Sequence, residues 1–174
     1  GQAGGGSTLL SQNGSIVYYG IHVNDVYAYF LSQIKNSGAP LPDFPNTQAD
    51  LASVVAYAKT QGVVLPDADA LTMELKTSWV DASSVENAGD YLTLNATVPK
   101  YNQSNDRHWP VGGTEQKKLA MVGMHIVGTV QDHPEMVWAT VEHLSNAPDA
   151  SYYYINNQGQ RTLVPHPTAG SWTF

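Results

Sequence analysis

The pattern of apolar and polar positions shows a helical period in the first part of the chain. Gln48–Gln61 repeats apolar residues at helical spacing, which predicts a helix with Thr47 as its cap and Gly62 as its end. A second helix is predicted over Asn24–Ile34, which begins with a capping-type residue. The apolar stripe of the Gln48–Gln61 helix, which we expect to pack on a sheet, consists of Leu51, Val54, Val55 and Ala58.

Strand patterns dominate the rest of the chain. Leu71–Val80 alternates apolar and polar residues with a period of two, as a strand with one buried face does. The sequence NNQGQ between two short aromatic or β-branched runs predicts a hairpin turn. Asn102–Gly113 is polar and is predicted to be a loop. The other predicted strands are Ser15–Val23, Tyr91–Val98, Leu119–Val130, Met136–Leu144, Tyr152–Ile155 and Arg161–Val164.

These elements together predict a mainly β or α+β fold, an antiparallel, sandwich-like domain with two helices near its N-terminus. We expect residues 1–13 to be a flexible, glycine-rich arm and residues 14–174 to form a single β-rich domain. The chain finishes on an aromatic, β-prone segment, so we expect either that it is a segment of a longer polypeptide or that its end docks in a sheet.

Strand parity predicts which side chains share a face. If three of the strands lie in one sheet over one core, a polar face forms that could bind a polar ligand or perform acid–base chemistry. A solvated face with ordinary cross-strand ion pairs is the alternative. The residues of this candidate ligand-binding face are Glu74, Lys76, His125, Trp138, Thr140 and Glu142, and the residues expected to be buried behind them are Met73, Leu75, Met124, Ile126, Val137 and Val141. His125 lies mid-strand among apolar residues, so we expect its ring to be partly desolvated and to need a partner. Glu142 is the first candidate and Glu74 the second.

Three histidines within 25 residues, His125, His133 and His143, are candidate ligands for zinc or copper. Their spacing matches no established metal motif, and His133 precedes Pro134 in the turn between two strands. A two-histidine site completed by a carboxylate and a purely structural, hydrogen-bonded His143 are the alternatives. No catalytic nucleophile motif is present, so the catalytic residues are unknown.

Composition excludes several classes of function. The net charge is −7, with only 8 Lys and Arg residues, which argues against binding to nucleic acid. The chain contains no cysteine, so it forms no iron–sulfur cluster and attaches no c-type haem covalently. No apolar run is long enough for a transmembrane segment. Charged residues make up only 13% of the chain, as is common for proteins outside the cytoplasm.

Several segments of the chain resemble a domain of uncharacterised secreted bacterial proteins: YYGIHVNDVYAYF, LTMELKTSWV and, most specifically, MHIVGT, HPEMVWATVEH and NAPD within residues 124–149. Such proteins are sometimes annotated near c-type cytochromes or as lipoproteins. The resemblance covers about half of the chain and implies an extracytoplasmic, secreted or periplasmic location and a longer parent protein. It implies no activity and no catalytic residue.

Three hypotheses for function follow. The first is an extracytoplasmic binding or interaction domain that uses the polar Glu/Lys/His face to bind a polar small molecule, a carbohydrate or a protein partner. The second is a metal-dependent enzyme that uses His125 with nearby carboxylates. The third is a structural subunit of an extracellular assembly, which would be an oligomer.

Overall fold

The fold is a mainly antiparallel β structure with two helices, as the sequence predicts. It is seen in a computed structural model that describes residues 8–38, 43–103, 109–146 and 151–164. The packing of two sheets face to face stays a prediction. The elements are β1 (Tyr18–Val23), α1 (Asp25–Ser37), α2 (Gln48–Thr60), β2 (Met73–Asp81), β3 (Thr93–Tyr101), β4 (Val111–Val130), β5 (His133–Glu142), β6 (Tyr152–Ile155) and β7 (Arg161–Val164).

The two helices begin at the predicted caps. The side chain of Asn24 accepts a hydrogen bond from the backbone N–H of Tyr27 at the start of α1. Thr47 and Asp50 form a capping box at the start of α2, which satisfies two backbone donors that the helix leaves free. The prediction of α2 is therefore confirmed to within one residue, and α1 runs three residues beyond its predicted end.

A buried cluster joins the helices to each other. Its partly buried margin includes Leu71, just before β2, but none of its fully buried members comes from a strand. We expected the apolar stripe of α2 to pack on the sheet. For the buried residues of this cluster that expectation is wrong, because α1 supplies the apolar surface that covers the stripe. The buried members are Val26, Phe30, Leu51, Val54, Ala58 and Leu65.

The larger sheet has five strands. Its hydrogen-bonded order is β1, β2, β4, β3, and β5 also pairs with β4. β3 and β4 are antiparallel, with Thr93 opposite Ala120 and Val98 opposite Glu115. β6 and β7 form a separate two-stranded antiparallel sheet, as the hairpin turn predicts. The turn between them has Gly159 at a φ of 73°, a left-handed conformation that favours glycine.

β4 is much longer than predicted. Its first part, from Val111, falls in the predicted loop and in the polar stretch after it. Residues 112–118 are glycines and polar residues, so they show no apolar alternation, and the pattern gave no reason to extend the strand. Backbone hydrogen bonds to β3 hold this part in the sheet and need no apolar side chains.

The chain divides into two compact units, and each is described by itself. Unit 1 comprises the described residues of Gly1–Tyr18, Trp79–Val122 and Glu142–Phe174. Unit 2 comprises the described residues of Tyr19–Ser78 and Gly123–Val141, including both helices.

Candidate functional site

Among the described contacts, two side chains of the predicted polar face meet directly. His125 Nδ1 lies 2.8 Å from Thr140 Oγ1, so these two side chains meet as a hydrogen-bonded pair. Lys76 Nζ lies 5.3 Å from the centre of the Tyr19 ring, within range of a cation–π contact. Trp138 is exposed. These four side chains all belong to unit 2.

The two carboxylates of the predicted face have neighbours other than His125. Burial raises the pKa of the Tyr27 phenol, and the negative charge of the nearby Glu74 raises it further. Glu142 belongs to unit 1, where Asn146 Nδ2 lies 3.4 Å from its Oε2. The expectation of a partly desolvated His125 paired with a carboxylate is therefore wrong. The ring is exposed, and its neighbour is a hydroxyl group on the adjacent strand.

The three candidate metal ligands have separate environments. His133 Nδ1 lies 3.7 Å from Glu135 Oε2 at the hairpin end of β5. His143 stacks on the Tyr91 ring at 3.7 Å, and its Nδ1 accepts a hydrogen bond from the backbone N–H of Ser145. That bond occupies the lone pair that a metal would need. Within the described residues, no group of three or more His, Asp or Glu side chains is arranged to hold a metal ion.

The side of the sheet opposite His125 differs most from what the sequence predicts. A Cβ added to Gly128 would lie 4.0 Å from Met73 Cβ, so the even-numbered side of β4 and the odd-numbered side of β2 face the same way. The Thr72 and Thr129 hydroxyls, 2.7 Å apart, mark the opposite side, which His125 shares with Thr140. We define the apolar face as the six residues expected to be buried there: Met73, Leu75, Met124, Ile126, Val137 and Val141.

None of the six residues of the apolar face is buried. Met73, Val137 and Val141 are 41%, 51% and 49% exposed, and the other three are half-buried. On the opposite side, where we expected solvent, Thr72, Val127 and Thr129 are buried. The prediction of which side faces the core is therefore wrong at this end of the sheet. Alternation identifies the side with apolar residues but does not determine what covers it.

A polar cleft in unit 1 was missed by sequence reasoning. It has a volume of about 240 Å³ and lies between the turn at Asn13–Ser15 and residues of β1, β2, β3 and β4. The side chains important for its chemistry are Tyr18, Asp81, Tyr101, Gln103, Glu115 and Lys117. They come from four separate segments of the chain, so no local motif could reveal them. The one local signal is Asp81 two residues before the serine pair Ser83 and Ser84, a typical capping sequence.

An ion pair forms one wall of this cleft. Lys117 Nζ lies 2.7 Å from Asp81 Oδ2 and 3.9 Å from Glu115 Oε1. Ser83 donates to Asp81 Oδ1 through its backbone N–H at 2.9 Å and its hydroxyl at 2.6 Å. Partial burial alone would raise the pKa of Asp81, but the hydrogen bonds from Lys117 and Ser83 outweigh it and lower the pKa to about 2. The same contact raises the pKa of Lys117, so both groups are charged at neutral pH.

The described helices are neither long nor apolar enough to cross a membrane. Comparisons with protein-family models, with curated proteins and with solved structures find no match to this chain.

Proposed function

We propose that this chain is an interaction domain of an extracytoplasmic protein and that it self-associates through the apolar face. One observation carries the proposal: six residues patterned as core lie together on one side of β2, β4 and β5 and are exposed or half-buried. Single exposed apolar residues are common on protein surfaces, but a contiguous set on one face is typical of an interaction site. The low share of charged residues and the resemblance to secreted proteins support the location.

The chemistry of the apolar face favours a second copy of this chain as its occupant. The stretches 73–77, 124–128 and 137–141 contribute no ionisable side chain to this side of the sheet. The net charge of −7 is therefore carried elsewhere, and two copies of the face can meet without opposing like charges. The uncharged surface ends at the start of β5, where His133 and Glu135 lie.

Solution mass tests the proposal. Light scattering should show the mass rising with concentration from 18.8 kDa to twice that value. The double variant Val137→Glu with Val141→Glu should remain monomeric, because each copy would bring two carboxylates to the centre of the interface. Val64→Glu is the matched control, since Val64 is 82% exposed and lies outside the sheet, and it should associate as the wild type does.

Two results would overturn the proposal. One is a wild-type mass that stays at 18.8 kDa at the highest attainable concentration. The other is a doubled mass that the variants at Val137 and Val141 leave unchanged. A thermal melt of each variant shows whether the domain is still folded, because exposed positions such as these tolerate substitution with little loss of stability.

A further inference from the structure

The polar cleft of unit 1 is held in place by contacts among its own walls. Asn13 Nδ2 donates to the backbone carbonyl of Ser84 at 2.7 Å. The backbone N–H of Asp81 donates to the Ser15 hydroxyl at 2.8 Å. Together with the Asp81–Lys117 ion pair, these bonds join the N-terminal turn to β2 and β4. The cleft is therefore preorganised, which reduces the entropy that a ligand would lose on binding.

Several polar groups of the cleft remain available to a ligand. Within the described part of the chain, no hydrogen bond involves the hydroxyls of Tyr18 and Tyr101 or the side-chain amide of Gln103. Lys117 uses one of its three N–H groups on Asp81 and approaches Glu115 with another. The cleft thus offers both donors and acceptors within a small volume, which suits hydroxyl groups because they both donate and accept.

The charges of the cleft limit the ligand further. Asp81 and Glu115 are two carboxylates against the one ammonium group of Lys117, so the cleft carries an excess negative charge. An anion would be repelled, because Lys117, the one cation among the described residues that line the cleft, is already paired with Asp81. Partial burial raises the pKa of Tyr18 above its ordinary value. The positive charge of Lys117 acts to lower this pKa, and the negative charges of Glu115 and Asp81 act to raise it. Its phenol therefore stays protonated and able to donate at neutral and mildly alkaline pH.

We propose that this cleft binds a neutral, hydroxyl-rich ligand of the size of one sugar residue. The volume of about 240 Å³ admits one such ring. Tyr18 and Tyr101 offer hydroxyls for hydrogen bonds and ring surfaces for the C–H groups of a sugar. The site is independent of the apolar face, which lies in unit 2, so either proposal can fail while the other holds.

Titration with simple sugars tests the site. Glucose, galactose, mannose and N-acetylglucosamine are added separately to the isotopically labelled chain, and amide and side-chain resonances are followed by NMR. At least one sugar should shift the Gln103 side-chain amide and the backbone signals of Tyr18 and Tyr101 in a saturable way. Tyr18→Phe and Tyr101→Phe should each weaken that binding by about three- to tenfold, because each removes one hydrogen-bonding hydroxyl.

The controls separate a built site from weak surface contact. Tyr153→Phe changes an exposed tyrosine outside the cleft and should bind the same sugar as the wild type does. Glucuronate should bind more weakly than glucose to the wild type, and Glu115→Gln should narrow that difference by removing one negative charge. The proposal is overturned if no sugar shifts these signals, if both Phe variants bind as the wild type does, or if glucuronate binds as well as glucose.

Discussion

The helix pair and the sheet of unit 2 differ in how they keep apolar side chains from water. The two helices cover each other, so that Val26, Val54 and Ala58 are almost completely inaccessible to solvent. The sheet in the same unit has an equally apolar side, but its six patterned residues remain exposed or half-buried. The helices therefore complete a core within the chain, whereas the apolar face needs a surface that the described residues do not supply.

This difference shows what an apolar pattern means physically. Alternation or helical spacing identifies side chains that gain free energy by leaving water, about 1.5–3 kcal/mol for each large one that is fully buried. The pattern does not state whether another part of the same chain or a second molecule covers them. In the helix pair the cover is intramolecular, and in the sheet we propose that it is intermolecular.

The largest expected effect is the difference in stability between a variant with a carboxylate in the helix pair and a variant with a carboxylate on the apolar face. Leu51→Asp should lower the free energy of unfolding by about 3–5 kcal/mol, because it buries an unpaired carboxylate between the helices. Met73→Asp, on the apolar face, should cost less than about 1 kcal/mol in the dilute monomer, because the carboxylate stays in water. Urea unfolding of both variants measures the contrast, and equal losses would mean that the apolar face is a core.

A smaller effect is expected at the start of α2. Thr47→Ala should cost about 1 kcal/mol, because it removes the hydroxyl that caps the helix and that donates to Asp50 Oδ2 at 2.7 Å. Thr60→Ala is a suitable control, since Thr60 lies at the exposed end of the same helix and its hydroxyl donates to the backbone carbonyl of Tyr57. If the two variants unfolded at the same urea concentration, the capping box would contribute nothing.

The same capping box predicts a dependence on pH. The hydrogen bond from the Thr47 side chain lowers the pKa of Asp50 below its ordinary value, and the opposing effect of burial does not cancel it. A carboxyl group whose pKa is lowered on folding stabilises the protein above its unfolded pKa, and this stability is lost as the pH falls through the folded pKa. Acidification from neutral pH to about pH 3 should therefore destabilise the wild type more than Asp50→Asn. Parallel losses in the two proteins would contradict this reading.

The smallest effect is expected on the polar side of the sheet. His125→Ala should change the free energy of unfolding by less than about 0.5 kcal/mol, because the ring is exposed and its one described hydrogen bond is to Thr140. Thr140→Ala should have a similarly small effect. A loss of several degrees in the melting temperature of either variant would show that the pair supports the fold and would weaken the contrast with the helices.

Local signals predicted the helices well. The cap at Thr47, the stripe through Leu51 and the stop at Gly62 all lie within one short segment, so sequence alone was sufficient for α2. The first part of β4 could not be predicted because its stability comes from backbone pairing with β3. Where the side chains are polar, whether a segment forms a strand therefore depends on its pairing with a strand that is distant in the sequence.

Sites could be predicted less well than elements. Strand parity correctly predicted that His125 and Thr140 lie on the same face. The prediction assumed that β4 and β5 are neighbours, and side chains alternate between the two faces along each strand. It could not show that Glu142 would lie with Asn146, because that contact depends on the turn after β5. Nor could it show that the ring would be exposed, because exposure depends on packing between distant segments. The cleft around Asp81 and Lys117 is assembled from four segments and becomes visible only after folding.

Methionine oxidation tests the central claim most directly, because it reports on the apolar face itself. Dilute hydrogen peroxide is added at concentrations below and above the point where the mass doubles, and the rate at each methionine is read by mass spectrometry. Met73 is exposed on the apolar face, whereas Met136 is half-buried on the strand side that His125 and Thr140 share. We predict that Met73 is oxidised readily in the monomer and becomes protected on association, while the rate at Met136 is unchanged. Equal rates for Met73 in monomer and dimer would contradict the assignment of this face as the docking surface.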